Sequence, residues 1–113
     1  MDNFIRNATV VRWVDGDTVI LDVDLGYHMR TKQYFRLLGV DTPELRSKWP
    51  KQRRLAREAT LFCETEIPVG STVGVKSSKS GKFGRWLAEI YYGDDPVRNI
   101  AKELIYAGLG KEI

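Results

Sequence analysis

The chain has 113 residues, 42% of them hydrophobic and 29% charged, and a formal net charge of +3. This fits one small domain, residues 1–113, with a modest core; it excludes an intrinsically disordered chain, and no apolar run approaches the roughly 18 residues that a membrane span requires. One cysteine, Cys63, rules out an intramolecular disulfide, and one histidine, His28, leaves too few nitrogen and sulfur ligands for zinc, so a metal would have to be bound through oxygen.

The N-terminal MDNFIRNATVV lacks an apolar stretch behind a basic start. No signal peptide is legible, and the chain reads as cytoplasmic or as the mature part of an exported protein. Residues 9–14 form the first predicted strand, stopped by Asp15-Gly16. Residues 18–25 form the second, with Val19, Leu21, Val23 and Leu25 on one face and Asp22 and Asp24 on the other. After a Gly26-Tyr27 turn, residues 29–38 make a third strand whose alternation sets Phe35 and Leu37 on one side and Arg36 on the opposite side. Asp41-Thr42-Pro43-Glu44 breaks the pattern, because Pro43 keeps Thr42 extended. Residues 54–66 read as a helix, with Leu55, Ala59 and Phe62 at helical spacing and Pro68 and Gly70 ending it; Cys63, in the same apolar register, is expected as a buried structural thiol. Residues 71–76 are a fourth strand, 77–82 a Ser/Lys/Gly-rich loop, 86–92 a fifth strand and 97–106 an amphipathic helix closed by Gly108. The expected fold is α+β and mainly β: a five-stranded Greek-key barrel of the OB-fold type, with a helix after strand three and a C-terminal helix.

Chemistry concentrates at the breaks between these elements. Asp17, Asp41 and Glu44 each lie at or just beyond a strand end, where side chains from different strands converge. Gathered carboxylates repel unless a cation relieves them, and Ca²⁺ accepts carboxylates, backbone carbonyls and water. Asp17 and Asp41 with the Thr42 carbonyl therefore make a candidate open calcium site. Taken singly, each acid is also an ordinary turn or surface residue, and Glu44 an ordinary helix-start glutamate. Arg36 and Arg85 offer planar guanidinium groups to a phosphate and to the extra charge of its transition state, and Glu44 is placed to act on an attacking water as general base. The basic segment holding Arg46, Lys48, Lys51, Arg53, Arg54 and Arg57, and a second one from Lys76 to Arg85, point to a polyanionic partner, with Lys48 and Lys51 among the phosphate-tracking charges. Phe83, Tyr34, Tyr91 and Trp49 offer flat faces to bases, while Phe4, Phe35, Phe62 and Trp86 are expected in the core.

In that order along the chain, "DGDT" at 15–18, "FRLLGVDTPE" at 35–44 and "KFGRWLAEIY" at 82–91 resemble the staphylococcal nuclease (thermonuclease) family, over residues 9–111. The resemblance implies an OB-type barrel and a Ca²⁺-dependent phosphodiesterase. Such enzymes cut DNA and RNA, single strands preferentially, leaving 3′-phosphate and 5′-hydroxyl ends. Carried over by motif, Asp17 and Asp41 are the calcium carboxylates, Thr42 lends its carbonyl, Arg36 and Arg85 are the phosphate-binding arginines, Glu44 matches the glutamate proposed as general base, and Lys82 lies near the terminal phosphate. Two departures stand out. Phe83 replaces a frequent tyrosine, keeping a stacking face without its hydroxyl, and the sequence stops after AGLGKEI, where family enzymes commonly carry another nucleotide-contacting tyrosine and a third helix. The expected molecule is a monomer with DNA and RNA as partners and no membrane. A catalytically silent nucleic-acid- or protein-binding module of the same fold is the alternative, and it predicts lost acids or arginines.

Overall fold

A computed structural model describes residues 5–79 and 86–113. Along them run β1 (Ile5–Asp15), β2 (Thr18–Gly26), β3 (Met29–Leu37), β4 (Val40–Asp41), α1 (Pro50–Glu66), β5 (Thr72–Lys79), β6 (Trp86–Tyr92), β7 (Arg98–Asn99), α2 (Ile100–Tyr106) and β8 (Lys111–Glu112). The five long strands hydrogen-bond in the order β3-β2-β1-β5-β6, and a parallel pairing of β3 with β6 closes the barrel. Closure leaves no long free edge among these strands, and β7 covers part of β6. The expected five-stranded barrel with two helices is the fold observed.

Alternation explains which side chains fill it. Val19, Leu21 and Val23 of β2, Phe35 and Leu37 of β3, Val73 and Val75 of β5, and Ala88 and Ile90 of β6 are all buried at two-residue intervals. In β1 the phase changes: Ala8, Val10 and then Trp13 point inward. A register shift against β2 between Val10 and Arg12 supplies the extra residue that turns Trp13 into the core. Its indole Nε1 donates to the Ile67 carbonyl at 3.0 Å, which satisfies the one polar atom of the ring. Leu25, the last apolar residue of the expected inner face of β2, is exposed near the end of the hairpin.

Helix α1 begins four residues before the expected start. Pro50 occupies its first turn with φ already suited to a helix, Trp49 is the extended N-cap residue, and the Arg53 amide donates to the Trp49 carbonyl at 3.0 Å. Its buried stripe consists of Ala56, Ala59, Thr60 and Cys63, with Leu55 and Phe62 partly buried beside it. Small residues on this stripe let the helix axis come close to the barrel. β1 starts earlier than expected and β5 runs on to Lys79, pairing Ser77, Ser78 and Lys79 with Ala88, Leu87 and Trp86. Those residues, expected in a loop, are strand because β6 provides a partner for their backbone.

Helix α2 is shorter than expected at its start. Asn99 Oδ1 caps it by accepting from the Ala101 amide at 2.9 Å, and Val97 lies outside, exposed. At its other end the Gly108 and Leu109 amides donate to the Ile105 and Leu104 carbonyls at 3.0 and 2.9 Å, with Gly108 at φ +74°. This pair of bonds reverses the chain and needs a glycine at the left-handed position. The chain then returns alongside β4: Val40 pairs with Glu112 and Asp41 with Lys111.

Candidate active site

Three segments meet at one end of the β2–β3 hairpin: the turn joining β1 to β2, the stretch from β4 into the following loop, and the outer face of β3. Thr18 is registered against Arg36, so the start of β2 lies beside the end of β3. The alternation that buries Phe35 and Leu37 turns Arg36 outward toward the acid turn. Its Nη2 lies 3.4 Å from Asp17 Oδ2 and 2.9 Å from Asp41 Oδ1, and its Nη1 donates to the Val40 carbonyl at 3.5 Å. One guanidinium therefore holds both candidate calcium carboxylates.

Asp17 is buried, at 6% exposure, and each of its carboxylate oxygens accepts a hydrogen bond. Oδ2 accepts from the Thr42 amide at 3.0 Å and Oδ1 from the Thr18 hydroxyl at 3.1 Å, while its own carbonyl accepts from the Leu37 amide at 2.8 Å. A buried carboxylate is tolerable because it is both ion-paired and hydrogen-bonded. Asp41 is different: its side chain is 55% exposed, open on the solvent side. Glu44 is exposed as well, and its carbonyl accepts from the Ser47 amide at 3.1 Å. Among the described residues no three Asp, Glu, His or Cys side chains gather as a ready metal cage. Asp17 and Asp41 come together through Arg36, and Glu44 stands apart on the loop.

Sequence reasoning missed the residue that sets this loop. Asp15 Oδ1 accepts from the Leu45 amide at 3.1 Å, so the two acids of Asp15-Gly16-Asp17 pin the amides of Thr42 and Leu45 on either side of Pro43 and Glu44. The acid-glycine-acid pattern was the available signal, but the partner lies 30 residues away. Behind the turn, helix α1 supports it. A Cβ on Gly16 would sit 2.7 Å from Ala59 Cβ and 3.0 Å from the Thr42 hydroxyl oxygen, so only glycine fits between turn and helix. Cys63 Sγ donates to the Gly16 carbonyl at 3.4 Å. Burial foremost, then the charges of Asp17, Glu64 and Glu66, push the Cys63 thiol far up. It stays a protonated, buried structural thiol and is neither a nucleophile nor a metal ligand.

The donor set suits a hard divalent cation. It consists of two carboxylates within 3.4 Å of one cationic nitrogen and the adjoining Thr42 backbone, with no imidazole or thiolate at hand. The Thr42 hydroxyl, buried and without a hydrogen-bond partner, faces Gly16 and the helix. Tyr34 is exposed on the outward face of β3, two residues before Arg36, and lines a shallow hollow with Thr18, Phe35 and Arg36. Tyr91 instead donates its hydroxyl to Glu89 Oε2 at 3.0 Å on β6. Lys48 and Lys51 are exposed at the start of α1. Arg85, Lys82 and Phe83, together with Phe4, lie outside the described residues; β6 begins beside the site, Trp86 pairing with Phe35 and Leu87 with Arg36.

A closed five-stranded barrel, with paired acids and an arginine at its strand ends, defines a class that comparison makes specific. Residues 34–113 match the family described as staphylococcal nuclease homologue, and the chain belongs to that nuclease-type family. It is similar to the thermonuclease of Staphylococcus hyicus, 31% identical over 91% of this chain and 54% of that protein. It is also similar to an uncharacterized lipoprotein of Mycoplasma genitalium, 27% identical over 83% of this chain and 38% of that protein. The chain thus spans about half of the one relative and less than half of the other.

Proposed function

We propose that this chain is a calcium-dependent nuclease that hydrolyses DNA and RNA, preferring single strands, to 3′-phosphate and 5′-hydroxyl ends. The observation that carries the reading is the contact of Arg36 with both Asp17 and Asp41 in a member of a nuclease-type family. Asp17, Asp41 and the Thr42 carbonyl would hold Ca²⁺, which supplies Lewis-acid stabilisation of phosphate charge. The chain's own residues do the rest. Arg36, and by motif Arg85, bind the phosphate bidentately and stabilise charge that develops as the water adds. Glu44, exposed on a loop fixed by Asp15 and Ser47, takes the proton of that water. Lys82 and Phe83 contact the nucleotide beside the phosphate, and Lys48 and Lys51 track the strand. A monomer suffices, since every proposed group belongs to one chain.

The test is cleavage of heat-denatured DNA with Ca²⁺ and with a chelator in its place. Cleavage only with Ca²⁺, leaving 3′-phosphate ends, is expected. Folded protein that leaves the DNA intact would move the chain to the silent binding modules of this fold.

A further inference from the structure

Beyond the motif residues, one aromatic side chain occupies a position that its packing does not explain. Trp13 is buried at 4% exposure, but Trp49 is 62% exposed. Yet its backbone is firmly held. Its amide donates to Ser47 Oγ at 3.2 Å, its carbonyl accepts the first intrahelical bond from the Arg53 amide at 3.0 Å, and Arg53 Nη1 donates to the Ser47 carbonyl at 2.9 Å. Lys48 Nζ lies 5.3 Å from the centre of the indole, within cation–π range. Exposed Arg46, Lys51 and Arg54 lie close by in sequence, and residues 45–57 contain no acid. The Ser47 amide bond to the Glu44 carbonyl ties this corner to the loop of the proposed general base, at most about 17 Å away along the chain.

An indole on a hydrogen-bonded backbone, open to solvent and with the Lys48 ammonium beside its ring, has the chemistry of a stacking platform for a nucleobase. We infer that Trp49, flanked by Lys48 and Lys51, is a second nucleotide subsite, which stacks an unpaired base of a single strand whose phosphates lie on the two lysines. This deepens the nuclease reading by extending the proposed site along the strand, and it rests on that reading only for the cleavage itself. Bases in a duplex keep their faces covered, so the subsite selects single strands.

Binding is measured in chelator, where no cleavage occurs, with an oligothymidylate of about eight residues, within the span such surfaces cover. Tryptophan fluorescence should fall on binding, and the exposed Trp49 should become protected from acrylamide. Trp49→Ala should weaken binding on the order of tenfold, and Trp49→Phe should restore most of it. The salt dependence should keep its slope in Trp49→Ala but lose about one unit for Lys51→Gln, because stacking releases no counterions and phosphate contacts do. Binding of a dinucleotide should change little in Trp49→Ala. Unchanged oligonucleotide affinity in Trp49→Ala would overturn the inference. So would an abasic oligomer bound as tightly as the thymidylate, or an indole that stays open to acrylamide in the complex. The two readings fail separately: Trp49-dependent binding without calcium-dependent cleavage sinks the nuclease, and cleavage with Trp49-independent binding sinks the subsite.

Discussion

Arg36 is a counter-cation for two carboxylates and, in the proposed function, a phosphate ligand, and these roles predict opposite effects of removing it. Arg36→Ala leaves the buried Asp17 without its ion pair, a loss of about 3–5 kcal/mol for a buried charge. Calcium should recover much of that loss by binding the folded form alone, and calorimetry should find calcium bound at least as tightly as in the native chain. Turnover should nevertheless fall on the order of 100-fold or more. A calcium affinity that drops with Arg36 would place the metal elsewhere. Cys63 makes a prediction of a different kind. Burial raises its folded-state pKa, so its stabilising contribution is fully present below the unfolded thiol value of 9.0 and is lost as pH rises above it. In that alkaline range the unfolded chain has released a proton that the native chain retains, and this group alone lowers stability by about 1.4 kcal/mol per pH unit. Tyr92, held up by burial and by its bond to Glu66, adds to the fall at still higher pH. Urea unfolding of Cys63→Ala across pH 8–10 should show a shallower decline than the native chain.

At the scale of elements, a tight contact joins the acid turn to helix α1. Gly16→Ala adds a carbon 2.7 Å from Ala59 Cβ, which overpacking puts at about 1–3 kcal/mol of stability. The added strain displaces Asp17 as well, so calcium affinity should fall with stability. Ala59→Gly should restore part of both in the double variant, measured by thermal melting and calorimetry; no coupling between the two positions would separate the turn from the helix. This contact also shows where the sequence was readable. Period-two alternation settles which side of β3 Arg36 occupies, and the turn signal at Asp15-Gly16 settles where β2 begins. The burial of Trp13 follows from a bulge against β2, which no pattern within β1 displays. The start of α1 was obscured because "WPKQRR" reads as a charged loop until Pro50 is seen as the first helical residue. Its buried stripe of alanines, Thr60 and Cys63 is set by the closeness of the barrel, a tertiary fact, and the large apolar residues Leu55 and Phe62 fall to its edges. The bonds from Asp15 to Leu45 and from Asp41 to Lys111 join residues far apart in sequence, so local periodicity holds no trace of them.

For the whole molecule, the barrel and the site are completed by different parts of the chain. β1, β2, β3, β5 and β6 close the barrel, and α2 caps it, before the final strand is reached. Only then does β8 pair with β4, with Gly110 pressed so near Val40 that a side chain there would clash. A chain cut after Gly110 should therefore keep its circular dichroism and most of its melting temperature, since β8 is exposed and buries no core residue. Its calcium affinity should fall severalfold as Asp41 loses the backbone partner that fixes it, and an unchanged affinity would show that β4 needs no such support. In the cell the same order becomes a matter of timing. Under the proposed function, a growing chain would lack a fastened Asp41 until Lys111 has been added and has paired with it, so the order of synthesis itself would delay the onset of hydrolysis.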